Sequence, residues 1–220
     1  MCGIAGFIGA GTAGNIQAMT DALVHRGPDS EGHFADQHLP VFLGSRRLAV
    51  IDPRGGAQPM WDGTGDICVV FNGEIYNHRG LRRQLEARGC TFQSDHSDTE
   101  VLIHGYKIWG EGLWARLNGM FAAAIYDRHR KKLVLARDRF GEKPLFYAAR
   151  PDVIAFASEL PALLKHPSVR VATISKIGLM KFFAHGFFPG EHTPYESIYK
   201  LPAGHFLTID ATNRETNIQS

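Results

Sequence analysis

Apolar residues change their spacing several times along the chain, and each change marks an element. Residues 4–8 form a short continuous apolar run, as a strand buried on both faces gives, and behind the glycine-rich stretch 9–14 the residues Ile16, Met19, Leu23 and Val24 recur at helical spacing. His25-Arg26-Gly27-Pro28-Asp29 stops that helix. Strands are predicted over 41–51 and 67–71, and Leu81, Leu85 and Ala87 ahead of Gly89 predict a helix with a glycine stop. Ser97-Asp98-Thr99-Glu100 has the spacing of a capping box and opens a helix running through Trp109. Segments 121–127 and 133–137 flank Arg128-His129-Arg130-Lys131-Lys132, a hairpin with a solvated basic tip. A strand at 153–157 and helices at 159–165 and 174–185 follow, and the residues from Asp210 onward have no apolar pattern, as at a domain boundary. Strands and helices come in runs, not in strict alternation, so the class is α+β with largely antiparallel sheets.

A length of 220 residues suits one large domain or a domain with an extension, and 44% hydrophobic with 21% charged residues is a globular composition. The 24 basic and 22 acidic residues leave a net charge of +2, which gives no electrostatic footprint for nucleic acid or an anionic membrane. Cysteines at 2, 68 and 90 form neither a disulfide set nor a Cys-x-x-Cys pair; Cys68 and Cys90 read as core residues, and a cytoplasmic setting fits best. The 11 histidines show no paired ligand spacing, so no metal site is expected. In residues 1–20 no Lys or Arg precedes the apolar stretch, and five glycines with Asn15, Gln17 and Thr20 interrupt it, so neither a signal peptide nor a membrane span is expected.

Two chemistries are candidates. Gly9-Ala10-Gly11-Thr12-Ala13-Gly14 matches the dinucleotide-binding fingerprint, yet the acidic residue at the required distance, Asp29, sits in a Gly-Pro turn, and a lone glycine match is weak. A loop joining strand to helix explains it better. The other candidate is Cys2. Removing Met1 leaves a residue that carries both a thiol, of ordinary pKa about 8.5, and a free α-amine of about 7.7–8.0, so nucleophile and base are one residue. Gly3 and Gly6 beside it let a substrate approach the chain terminus closely.

Cys2-Gly3-Ile4-Ala5-Gly6-Phe7, the His25–Asp29 stretch, Arg47-Leu48, Asn72-Gly73-Glu74-Ile75-Tyr76-Asn77 and Ser97–Glu100 occur in one order, followed by Arg137-Asp138-Arg139-Phe140-Gly141, Lys143-Pro144-Leu145, Ala157-Ser158-Glu159-Leu160 and Lys200-Leu201-Pro202-Ala203-Gly204. In that order the chain resembles the class II glutamine amidotransferases, in particular the N-terminal glutaminase domain of glutamine-hydrolysing asparagine synthetases. The resemblance implies the N-terminal nucleophile hydrolase fold, a four-layer αββα sandwich, over 1–210, with 211–220 leading to a synthetase domain outside this sequence. It implies hydrolysis of L-glutamine by Cys2, with the Asn72 side chain and the Gly73 N–H as the oxyanion hole. Arg47 would bind the α-carboxylate and Asp98 the α-amine, with Val50, Ile51 and Glu74 completing the pocket. Ser45-Arg46-Arg47-Leu48 departs from the family's His-x-Arg-Leu, which leaves Arg46 as a rival to Arg47. By itself, Asn72-Gly73 after an apolar run also reads as a tight turn. No cofactor is implied for this chain; ATP and Mg would belong to the synthetase domain of the same polypeptide, since no Ser-Gly-Gly-x-Asp-Ser loop occurs here. A homodimer stays open, and so do a different ammonia acceptor, from the cell envelope or secondary metabolism, and a non-catalytic glutamine-binding module.

Overall fold

The computed structural model describes residues 1–50, 52 and 55–220. In its first half, strand β1 (Gly3–Gly9) leads to helix α1 (Ala13–Asp21), then β2 (Ser30–Ala35), β3 (Val41–Arg47), β4 (Met60–Trp61), β5 (Ile67–Ile75), α2 (His78–Glu86), α3 (Thr99–Trp109) and a 3₁₀ turn (Gly110–Arg116). The second half adds β6 (Gly119–Asp127), β7 (Lys132–Arg137), β8 (Phe146–Ala149), β9 (Val153–Ala157), α4 (Leu160–Leu163), α5 (Pro167–Arg170), α6 (Lys176–His185), β10 (Ile198–Lys200), β11 (Phe206–Asp210) and β12 (Thr216–Gln219).

Among the described residues the strands form two six-stranded sheets, in the orders β10-β8-β9-β1-β3-β2 and β12-β11-β7-β6-β5-β4. Each ladder within them is antiparallel. One core lies between the sheets, where Ile4, Ile8 and Leu43 meet Val70, Ala124, Tyr126 and Leu135. The opposite face of the first sheet packs Phe7 and Ala155 on Ile16, Met19 and Leu163 of α1 and α4. That of the second packs Val69 and Phe71 on Leu81, Leu85, Val101 and Leu102 of α2 and α3. The result is the expected αββα sandwich. Because β1 and β5 are central, each has apolar residues pointing both ways, which is why they read as continuous runs without alternation.

Several boundaries differ from expectation. Asn72-Gly73 makes no turn: β5 continues through both to Ile75, with Asn72 opposite Ala122 and Gly73 opposite Phe121. Tertiary pairing with β6 overrides the local turn preference, and the reason for glycine is close approach, since a Cβ at Gly73 would stand 2.2 Å from the Met120 carbonyl oxygen. The strand expected over 41–51 ends at Arg47. The capping box at Ser97 does not form; Asp98 is the first flanking residue of α3 and makes no side-chain cap, while Glu100 instead accepts from the Gln93 and Ser94 N–H groups at 2.6 and 2.8 Å. Residues 216–219 of the patternless tail pair as an edge strand with β11, by main-chain bonds that need no apolar side chain. The Gly9–Gly14 loop cannot take a pyrophosphate in Rossmann fashion. Its strand is antiparallel to both neighbours, and Gly11 lies so close to Phe7 that a Cβ would meet its ring at 2.4 Å. At the basic hairpin tip, Arg128 pairs with Asp36 at 3.1 Å and Arg130 with Asp127 at 3.7 Å.

Candidate active site

Cys2 stands at the head of β1, half-buried, its thiol donating to the Leu48 carbonyl at 3.7 Å. Two of the sequence motifs meet there to hold it. Arg26 donates through Nε to the Cys2 carbonyl at 2.9 Å and pairs through Nη1 with Glu159 at 2.8 Å, while the Ile4 N–H is held by the Ser158 hydroxyl at 3.0 Å. Asp29 accepts from the Ala49 N–H at 2.8 Å and fastens the segment that follows β3. Arg26 therefore positions the nucleophile's main chain, a role that its motif alone did not reveal.

Cys2 opens on a cavity of about 270 Å³, below the roughly 300–1,000 Å³ of sites for drug-sized ligands and suited to a small metabolite. Arg47, Val50, Asn72, Gly73, Glu74 and Asp98 line it, so the fold gathers all the expected site residues except Ile51, which lies outside the described residues. Arg46 points elsewhere: its guanidinium pairs with Glu31 at 2.6 Å and with Asp21. Arg47 is buried, its Nη2 donating to the Asp52 carbonyl at 2.7 Å. Gln58 and Met120, which no motif marks, also line the cavity from a loop and a neighbouring strand, and Thr99 does so from the Ser97–Glu100 motif at the start of α3. Lys143 lines it too, and the Lys-Pro-Leu motif was its only signal.

Strand register sets the direction of the Gly73 N–H. Phe121 uses both its N–H and its carbonyl on Asp138, on the β7 side, so its pairing with Gly73 is a non-hydrogen-bonded one and the Gly73 N–H turns to the opposite edge of β5. On that edge the Phe71 N–H is taken by Gln58 Oε1 at 2.7 Å and the Ile75 N–H by Asp98 Oδ2 at 2.9 Å. The Gly73 N–H between them faces the cavity. Beside it, Asn72 Nδ2 is buried without a hydrogen-bond partner among the described residues. An orphaned buried donor costs about 1–3 kcal/mol, which sets Asn72 apart from the satisfied polar groups around it.

Asp98 is 4% exposed, and burial pushes its carboxyl above the usual carboxylate range in spite of the Ile75 N–H bond. It is a desolvated acid at the cavity wall, suited to a cationic partner. Met1 lines the cavity beside Cys2, its sulfur 3.6 Å from Lys143 Nζ and 3.9 Å from Arg26 Nη2. Among the described residues no cluster of three His, Cys, Asp or Glu could hold a metal ion, and no helix is long and apolar enough to cross a membrane. Cys68 is fully buried between the sheets and burial pushes its thiol up, while Cys90 is half-buried at the second sheet's helical layer.

The sequence profile of the glutamine amidotransferase domain matches residues 1–219. The chain belongs to that family. It is 41% identical over 235 residues to asparagine synthetase [glutamine-hydrolyzing] 3 of Bacillus subtilis, a match covering 100% of this chain and 37% of that protein. To a putative asparagine synthetase [glutamine-hydrolyzing] of Methanocaldococcus jannaschii it is 33% identical over 236 residues, covering 98% of the chain and 45% of the relative. The amidotransferase chain thus spans less than half the length of these curated relatives. Its fold is shared with the glutamine phosphoribosylpyrophosphate amidotransferase of B. subtilis, solved with ADP and GMP, at a TM-score of 0.71 and 21% identity over 98% of this chain. The architecture is accordingly that of the N-terminal nucleophile hydrolases.

Proposed function

We propose that this amidotransferase domain hydrolyses L-glutamine to glutamate and ammonia with Cys2 as nucleophile, and delivers the ammonia to an ATP-dependent asparagine synthetase-type module of the same polypeptide. The observation that carries the reading is that Asn72, whose Nδ2 is buried without a hydrogen-bond partner among the described residues, and Gly73 both line the cavity onto which Cys2 opens. Loss of Met1 frees the α-amine, which takes the thiol proton; the thiolate adds to the side-chain amide carbon, and the charge that develops on oxygen is met by Asn72 Nδ2 and the Gly73 N–H. Collapse expels ammonia, with a proton returned from the α-ammonium, and leaves a thioester that water hydrolyses to glutamate. Arg47 holds the substrate α-carboxylate and Asp98 its α-ammonium, with Glu74, Val50 and Ile51 around them. ATP and magnesium serve the acceptor module, and this chain's residues take no part in holding them.

Replacing Cys2 with Ala, in a protein whose intact mass shows Met1 removed, is expected to abolish glutamate release while leaving glutamine binding measurable. Continued turnover by Cys2→Ala removes the nucleophile assignment, and absence of binding in wild type favours neither a glutaminase nor a glutamine-binding module. Product analysis of the full-length protein with aspartate, ATP and glutamine fixes the acceptor: asparagine is expected, and a different amide moves the domain to another acceptor.

A further inference from the structure

Helix α6 makes no extensive packing contact with another helix or strand. It is anchored at its start by the Ser175 N–H donating to the Pro194 carbonyl at 2.9 Å and midway by Lys181 Nζ with His192 Nε2. Its apolar residues face outward instead of inward: Ile177, Met180, Phe183 and, just past the helix, Phe187 recur every three or four residues and are 60, 71, 81 and 60% exposed. Phe140, at 83% exposed, continues the stripe across a cleft of about 650 Å³ that Phe140 shares with Phe187, Phe188 and Lys200. Scattered exposed apolar residues need no explanation, but a row of them along one face of a helix does.

We infer that the face formed by α6, Phe187 and Phe140 is the seat of the ammonia-consuming module, an inference that rests on the function proposed above. Three observations favour that occupant over a second copy of the chain. Relatives 41% identical to it carry nearly two thirds of their length outside the match, so their plan includes a partner large enough to cover the face. Ser220, which follows the edge strand β12, and Phe140 line one further cleft, so the stripe borders the open edge of the second sheet. The stripe is also continuous with the active site: the Asp138 carboxylate accepts from the N–H groups of Phe140, Glu142 and Lys143, each at 3.0 Å, making residues 138–143 a fastened loop with Phe140 outside and Lys143 in the cavity wall. A module seated on Phe140 therefore lies one loop away from the place where ammonia is released.

The test uses the full-length protein containing this domain, as wild type, as the double variant Met180→Asp/Phe183→Asp, and as Ile108→Asp, an exposed apolar residue on another helix, for control. Hydrogen exchange over 176–188 is expected to be slow in wild type and fast in the double variant at unchanged molecular mass. Glutamate released per amide formed is expected to rise about tenfold as docking weakens, with glutamine hydrolysis retained and the control unchanged. Fast exchange over 176–188 in the wild-type full-length protein overturns the proposal, and so does slow exchange that disappears on dilution with a halving of mass, since a second copy then covers the helix. Failure of the underlying reading looks different: wild type then makes no amide from glutamine at all, while the exchange result still reports whether the face is covered.

Discussion

Asp98 and Glu100 stand two positions apart at the start of α3, both carboxylic acids and both buried, yet their acidities move in opposite directions. Burial alone would raise both. Around Glu100 it is outweighed by bonds from His104 at 3.3 Å, from the Ser94 hydroxyl and N–H and from the Gln93 N–H, which hold its pKa down to about 2. Asp98 receives the Ile75 N–H, and burial prevails. The protein satisfies one buried charge completely and leaves the other short of donors at a cavity wall. Arg46 is bound by surface carboxylates, whereas the buried Arg47 lines the cavity and donates to the Asp52 carbonyl. Buried polar groups that the chain satisfies itself build the fold, and a buried carboxylate short of donors at a cavity wall, as Asp98 is, is where a ligand is to be looked for.

The largest effect is expected where a buried donor has no partner among the described residues. Asn72→Ala should lower kcat by about 10²–10³-fold with little change in KM, since the interaction is made mostly in the transition state. Asn72→Asp should be at least as damaging, because a carboxylate donates nothing there. A well-folded Asn72→Asp protein with kcat within about twofold of wild type would falsify the oxyanion role.

Next come Arg47 and Asp98, the residues proposed for the two ends of glutamine. Arg47→Lys and Asp98→Asn should each weaken binding by about 1.5–3 kcal/mol, or roughly 10–150-fold, as seen in KM, with Arg46→Lys near wild type. A larger loss from Arg46→Lys than from Arg47→Lys would misplace the carboxylate site by one residue. Asp98 also carries a sign that a structural carboxylate would not. Its folded pKa is raised, so it favours the fold when protonated, and that contribution is lost as pH rises through the raised value. At neutral pH the ionised group opposes folding, and Asp98→Asn should raise Tm while binding falls. In wild type, glutamine affinity should begin to fail on acidification at a pH above the ordinary 3.8. A lower Tm for Asp98→Asn would contradict the contrast with Glu100.

Glu100→Gln should leave catalysis nearly untouched and lower stability by about 1–3 kcal/mol, a Tm shift of about 2–4 °C per kcal/mol at this size. With a folded pKa of about 2 against an ordinary 4.5, the stabilisation from Glu100 is present above pH 4.5 and lost as pH falls toward 2. Urea midpoints across that range should fall more steeply for wild type than for Glu100→Gln; parallel curves would show that the network does not hold the charge.

Central elements were legible because burial on both faces leaves a plain signature: β9 occupies the expected 153–157, and β1 and β6 lie within two residues of expectation. Elements with weak patterns were not. β2 runs Ser-Glu-Gly-His-Phe-Ala without clear alternation, β4 has two residues, and α5 begins after the His166-Pro167 break inside what reads as one connection. Asn72-Gly73 shows the limit most clearly. Local turn preference was outvoted by a ladder to β6 some 50 positions away in sequence, and nothing in the local sequence tells the two apart. The site residues were legible through the order of motifs. Their cavity partners Gln58 and Met120 were not, since each enters by tertiary placement alone.

The central claim is that Cys2 acts with its own α-amine, and the most direct measurement compares glutamate release by two forms of the protein: one with Met1 removed, verified by intact mass, and one carrying a permanent N-terminal extension. Activity from the processed form alone, with the extended form folded and silent, is the predicted result. Equal rates from both forms would contradict it, because an acylated Cys2 nitrogen cannot serve as the base.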